Sequence, residues 1–168
     1  DDSDVEIVNK NGELKIRMIP TKIMQGDKVS VTVFYENLNE IQASQGSKIT
    51  SEDAVESGIL NITSNEGSIL NLKIEADILN AKTNSGGIIN ISGTAKTQDV
   101  LVNSGANFNG RNLKSEVTSV TTNAGGNADV YASKTITATN RAGGNINVYG
   151  SPKNRNAKNM LGRKINFR

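Results

Sequence analysis

Neither cysteine nor histidine occurs among the 168 residues. Without cysteine there are no disulfides and no thiolate metal sites, and the redox compartment stays open. Without histidine there is no triad of the Ser-His-Asp type and no imidazole-ligated metal, so neither a metal nor a cofactor is expected. Tryptophan is missing too, aromatic residues make up 4% of the chain, and there are two prolines. Any core must therefore be narrow and filled by Ile, Leu, Val and Ala. No apolar run approaches the roughly 18 residues a membrane-spanning helix requires, so no transmembrane segment is expected. A net charge of +2 is too small to mark a nucleic-acid binder. The opening Asp1-Asp2-Ser3-Asp4 carries no signal-peptide pattern and reads as the start of a mature or trimmed chain. The length fits about one domain.

Glycine is plentiful, and it is periodic. One glycine per unit can be chosen as Gly46, Gly67, Gly86, Gly105, Gly125, Gly143 and Gly162, with spacings of 21, 19, 19, 20, 18 and 19. Three residues past each stands an apolar side chain: Ile49, Leu70, Ile89, Phe108, Ala128, Ile146 and Ile165. Five residues past it the side chain is again apolar in all units but two, where Ser51 and Gly110 intrude. The residue between is polar. Apolar, polar, apolar is the signature of a half-buried strand. A second apolar row precedes each glycine by five residues, from Ile62 to Ala157, and another by seven, from Leu60 through Gln98 and Thr118 to Arg155, which decays along the chain. Units this rich in Gly, Asn and Thr are poor helix formers, which argues against a helical solenoid. The pattern predicts an all-β fold, a right-handed parallel β-helix (β-solenoid) of about seven coils of roughly 19 residues. With rungs about 4.8 Å apart, the coils would stack over roughly 30–35 Å.

The first forty residues differ. Val5 to Val8 and Leu14 to Met18 flank Asn9-Lys10-Asn11-Gly12, a hairpin signal. After Pro20 and the polar Gln25-Gly26-Asp27-Lys28, the alternation of Val29, Val31 and Val33 with Ser30 and Thr32 up to Tyr35 predicts a further strand. The expected organisation is a β-rich N-terminal cap over 1–40 and stacked coils over 41–168 in one domain. The chain stops inside the last coil, which suggests a homo-oligomer through an uncapped C-terminal coil, or an edge blunted by its basic residues. Charge is uneven along the sequence: residues 1–66 hold 12 acidic and 6 basic side chains, residues 67–168 hold 5 and 13.

The turns Asn84-Ser85-Gly86-Gly87, Asn103-Ser104-Gly105 and Asn123-Ala124-Gly125-Gly126, the strand VSVTVFYENLNEIQASQGSKI and the late Tyr149-Gly150-Ser151-Pro152 resemble one family. It is the putative auto-transporter adhesin, head GIN domain, of Gram-negative envelope and secreted proteins. The resemblance implies a parallel β-helix and an adhesive role in the cell envelope (periplasm or outer surface) or outside the cell. It carries no catalytic or binding residues with it.

Candidate sites come from the outward rows. Gly67, Gly86, Gly105, Gly125, Gly143 and Gly162 read as structural turns. The doubled glycines lack the following helix that a phosphate-cradling loop needs, and the 19-residue period does not match nonapeptide calcium repeats. Four residues past each glycine runs a polar ladder of Asn71, Asn90, Asn109, Asp129, Asn147 and Asn166. Two residues further stand Lys73, Ser92, Arg111, Tyr131, Tyr149 and Arg168. Together the rows predict a flat outward face with stacked amides, with Arg111, Tyr131 and Tyr149 beside them, which either only stabilises and solubilises the stack or also offers a surface to a glycan or a surface protein ligand. A second asparagine column at 65, 84, 103 and 123 reads as turn chemistry alone. Carboxylates paired across a groove, as glycoside hydrolysis needs, are absent from these rows, where Asp129 stands alone. The expected function is a non-enzymatic adhesin, with a structural or oligomerisation module of the envelope as the alternative and a polysaccharide-acting enzyme a distant third.

Overall fold

A computed structural model describes residues 5–19, 29–161 and 164–168. The chain divides into two compact units, Asp1–Tyr35 and Glu36–Arg168. In the first unit, β1 (Val5–Lys10) pairs antiparallel with β2 (Glu13–Met18), Val5 opposite Met18 and Lys10 opposite Glu13. Asn11 and Gly12 make the connection with φ of 54° and 79°, as a two-residue type I′ hairpin requires. Glu6 and Arg17 face each other across the ladder with Arg17 Nε 2.7 Å from Glu6 Oε2. That hydrogen bond and the guanidinium charge lower the Glu6 carboxyl below its usual range. The predicted strand over 29–35 does not form: Val29 to Tyr35 are exposed and carry no strand pairing, and Phe34 is 93% exposed. Alternating valines give a segment the shape of a strand, but a strand exists only with a ladder partner, and none of the described residues supplies one. Pro20 and the 25–28 turn lie outside the described residues.

The second unit is a β-solenoid of about seven turns, each of about 19 residues. Its strands are β3 (Glu40–Ala43), β4 (Lys48–Ser64), β5 (Ile69–Thr83), β6 (Ile88–Val102), β7 (Asn107–Thr122), β8 (Asn127–Tyr131), β9 (Thr135–Ala142), β10 (Asn145–Tyr149), β11 (Asn154–Leu161) and β12 (Ile165–Phe167). Every pairing is parallel and links one coil to the next. Each long strand serves two arms of a coil. It bends where the ladder skips the pairs Gly58/Asp77, Asp77/Lys96 and Lys96/Glu116, and two consecutive residues there, such as Asp77 and Ile78, are both exposed. A shift in the period-2 alternation is what turning a corner does to a strand.

The glycine register predicted from sequence is the structural register. The backbone N–H of Gly67 donates to Ser85 O, that of Gly86 to Ser104 O, and that of Gly105 to Ala124 O, at 3.1–3.2 Å. At each turn two successive residues have positive φ, for example Ser85 (49°) and Gly86 (72°). The chain closes from Gly87 N to Asn84 O at 2.9 Å, again a type I′ signature. The doubled glycine does two jobs. Gly86 needs its left-handed backbone and has open space around it. Gly87 has an ordinary φ, but a Cβ there would overlap the Ser64 carbonyl of the preceding coil. Gly162 lies outside the described residues.

The two odd members of the apolar row mark irregularities. Ser51 falls where β4 bulges between Thr50 and Ala54, and Gly110 where β7 carries an extra residue against β6 between Asn90 and Ser92. These bulges account for the 21- and 20-residue spacings. The core is a column of Leu60, Leu79, Ile89, Leu70 and Phe108 with their neighbours, each 0% exposed. The row that decays in sequence stays buried from Leu60 to Ile136 and leaves the core only at Arg155, in the wholly exposed β11. Gln98 and Thr118 replace leucine inside it, fully buried, and both donate to Tyr131 O, at 2.9 and 2.7 Å. Their satisfied donors offset part of the cost of burying them, while Gln98 Oε1 is buried without a hydrogen-bond partner.

Candidate ligand-binding face

The outward side of the first arm is built on β4–β8, β10 and β12. Its ladder residues stand in register, Asn71 opposite Asn90, Asn90 opposite Asn109, Asn109 opposite Asp129, Asp129 opposite Asn147 and Asn147 opposite Asn166. Each amide donates to the coil before it: Asn90 to Asn71 at 2.7 Å, Asn109 to Asn90 at 2.6 Å, Asn147 to Asp129 at 2.7 Å and Asn166 to Asn147 at 3.0 Å. The chain of amides breaks once, between Asn109 and Asp129, because a carboxylate has no proton to donate. The amides thus spend their hydrogen bonds on one another and bind the coils along the stack.

The column beside the ladder is less regular than its sequence spacing. The bulge in β7 puts Asn112, not Arg111, opposite Ser92, so Arg111 leaves the column in which its spacing places it. A bulge re-aims a side chain in this way. Arg111 instead lies over the Tyr149 ring, 4.6 Å from its centroid. Tyr131 and Tyr149 are in register on adjacent coils, as the spacing predicts. Lys114 Nζ sits 4.0 Å from the Tyr131 centroid. Two rings and two cations therefore form one cluster over three coils.

The turn asparagines do more than turn chemistry. Asn84 donates to Asn65, Asn103 to Asn84 and Asn123 to Asn103, at 2.7–2.8 Å. They make a second amide ladder parallel to the first. Their recurrence four times at the same turn position was the available signal.

Sequence reasoning missed a groove at the corner between the arms. It is shallow and largely open to solvent, holds about 650 Å³ and runs from Glu56–Gly58 on one coil to Tyr131 and Ser133 at its far end. Its floor is the in-register column Ser57, Ala76, Ala95 and Ser115. Asp77 pairs with Lys96 and Glu116 with Lys134, each at 2.6 Å. The hydrogen bond and charge of Asp77 hold the Lys96 ammonium above the ordinary lysine range. The signal in the sequence was a small residue between polar or charged ones, recurring as Glu75-Ala76-Asp77, Thr94-Ala95-Lys96 and Lys114-Ser115-Glu116. Among the described residues, no group of three or more Asp and Glu side chains is placed to hold a metal ion, and no helix is long and apolar enough to cross a membrane.

The family model described as "Putative auto-transporter adhesin, head GIN domain" matches residues 2–152. The chain belongs to this head GIN domain family. Two crystal structures share the fold of this head domain. A putative adhesin from Bacteroides fragilis has a TM-score of 0.85 and 19% identity, over 98% of this chain and 77% of that one. A putative adhesin from Parabacteroides merdae has a TM-score of 0.68 and 17% identity, over 98% and 78% of the two chains. No curated protein matches the chain. The family supports an adhesin-like protein of the bacterial envelope or surface.

Proposed function

We propose that this head GIN domain is a non-enzymatic adhesive module, displayed in the envelope of a Gram-negative cell or secreted from it, that binds a glycan through the side of its solenoid. The observation that carries this reading is the pair Tyr131 and Tyr149, in register on adjacent coils and each met by a cation from a third coil. Tyrosine rings offer the apolar face on which a sugar ring stacks, and Arg111 and Lys114 offer donors to its oxygens. Lys114 occupies the Tyr131 face, so a stacked sugar displaces it sideways and keeps it as a hydrogen-bond donor. The asparagine ladders act by holding the coils rigid beneath this cluster, which lowers the ordering cost of binding.

The test is a screen of the purified chain against immobilised host and bacterial glycans, with the Tyr131→Ala/Tyr149→Ala double variant alongside. The reading predicts at least one glycan retained by the wild type and lost, by at least tenfold in affinity, by the double variant with its melting curve unchanged. A screen without hits, or hits that the double variant keeps, overturns it.

A further inference from the structure

Resting on the glycan-binding reading, we infer that the corner groove is the ligand site proper, and that it takes a neutral, extended glycan strand lying along the solenoid axis. Three observations point there.

The first is shape. The groove holds about 650 Å³ and is open to solvent along its length, which suits a chain laid on the surface rather than a small molecule enclosed in a pocket. Its floor repeats once per coil through Ser57, Ala76, Ala95 and Ser115, at the rung spacing of about 4.8 Å. A linear glycan offers one ring per step of comparable length, so each ring meets an equivalent coil.

The second is what the groove cannot accept. On either side of the corner the backbone groups are spent on parallel ladders that run along the axis, and where the ladder skips, Ser115 Oγ donates to Lys96 O and Lys134 N to Glu116 O. A peptide therefore finds no free edge to add to within the groove, and recognition falls to side chains.

The third is charge. The walls mix signs along their length. Glu56 and Glu75 lie in register on adjacent coils at one end, Lys114 caps Tyr131 at the other, and between them Asp77 is neutralised by Lys96. A polyanion is repelled at the first end and a polycation at the second. A neutral strand meets carboxylate acceptors and ammonium donors for its hydroxyls throughout, and Tyr131 gives one stacking ring at the end of the track.

Gly58 supplies a clean probe. It stands in the groove wall with an ordinary φ, and a Cβ there would meet nothing within 4 Å. Gly58→Leu, combined with Thr94→Leu at the middle of the groove, fills the track without backbone strain. Binding of cellohexaose, xylohexaose and a linear β-1,3-glucan hexamer would be measured by calorimetry on the intact chain, with hyaluronan and chitosan as the anionic and cationic comparisons. The expected result is binding of a neutral hexamer that weakens at least tenfold in Gly58→Leu/Thr94→Leu and survives in Lys82→Ala/Asp99→Ala, two exposed side chains of the second arm outside the groove. Should the filled variant fold poorly, the isosteric Glu56→Gln/Glu75→Gln variant replaces it, with weakening of at least threefold expected. Wild-type affinity in the filled variant, or in the isosteric one where that stands in, overturns the groove. If Arg111→Ala/Tyr149→Ala then loses binding, the tyrosine face stands without the groove. Binding of hyaluronan or chitosan but of no neutral hexamer overturns the ligand class. Silence of all five overturns the groove and its ligand together.

Discussion

Single residues set the coil-to-coil bonding. Asp129 interrupts an otherwise continuous amide column, accepting from Asn147 while giving nothing to Asn109. Asp129→Asn restores the missing donor, and thermal or urea unfolding should show the variant more stable by about 0.5–1.5 kcal/mol, the net worth of one added hydrogen bond. A neutral or destabilising result would mean that the column is not a chain of cooperating amides. Arg111 illustrates the limit of spacing. Counting six residues past Gly105 places it in the tyrosine column, but one extra residue in β7 moves Asn112 there. A count cannot see on which side of a bulge a residue will point.

At the scale of the element, the repeating unit is a two-residue left-handed turn joined to a bent strand. The two glycines of the Gly86-Gly87 turn separate conformational from steric demand. Gly86→Ala asks an L-residue to hold φ near 72°, which costs about 1–2 kcal/mol. Gly87→Ala drives a methyl into the backbone of the neighbouring coil, and its cost should exceed that of Gly86→Ala by at least 1 kcal/mol, since close-packed backbone cannot relax as a side chain does. Equal melting temperatures for the two would contradict this division of roles. Turns and inward rows were legible in the sequence because glycine and alternation are local properties. The hairpin was legible for the same reason, through Asn11-Gly12. The segment 29–35 was misread because alternation reports that a strand would be amphipathic, not that another strand lies beside it.

Over the whole molecule, the parallel ladders direct the hydrogen bonds along the stack and leave the sides of the coils to side chains. That arrangement makes the solenoid's flank, with its rings, cations and corner groove, the surface on which recognition can be built. The tyrosine pair could be read from the sequence, because its two members occupy the same place in successive repeats. The groove was missed because it depends on where each strand bends. The bend shows in sequence only as two outward residues in succession, hidden among many polar ones.

The most direct test of the account is amide chemical-shift mapping of the isotope-labelled chain titrated with the glycan that binds most tightly. The account predicts that the shifted resonances cluster on the flank, at 56–58, 75–77, 94–96, 114–116 and 131, with weaker changes at Tyr149. Shifts confined to β11 and β12, to the hairpin of the first unit or to the glycine turns, or no shifts at all, would contradict a recognition surface on the side of the solenoid.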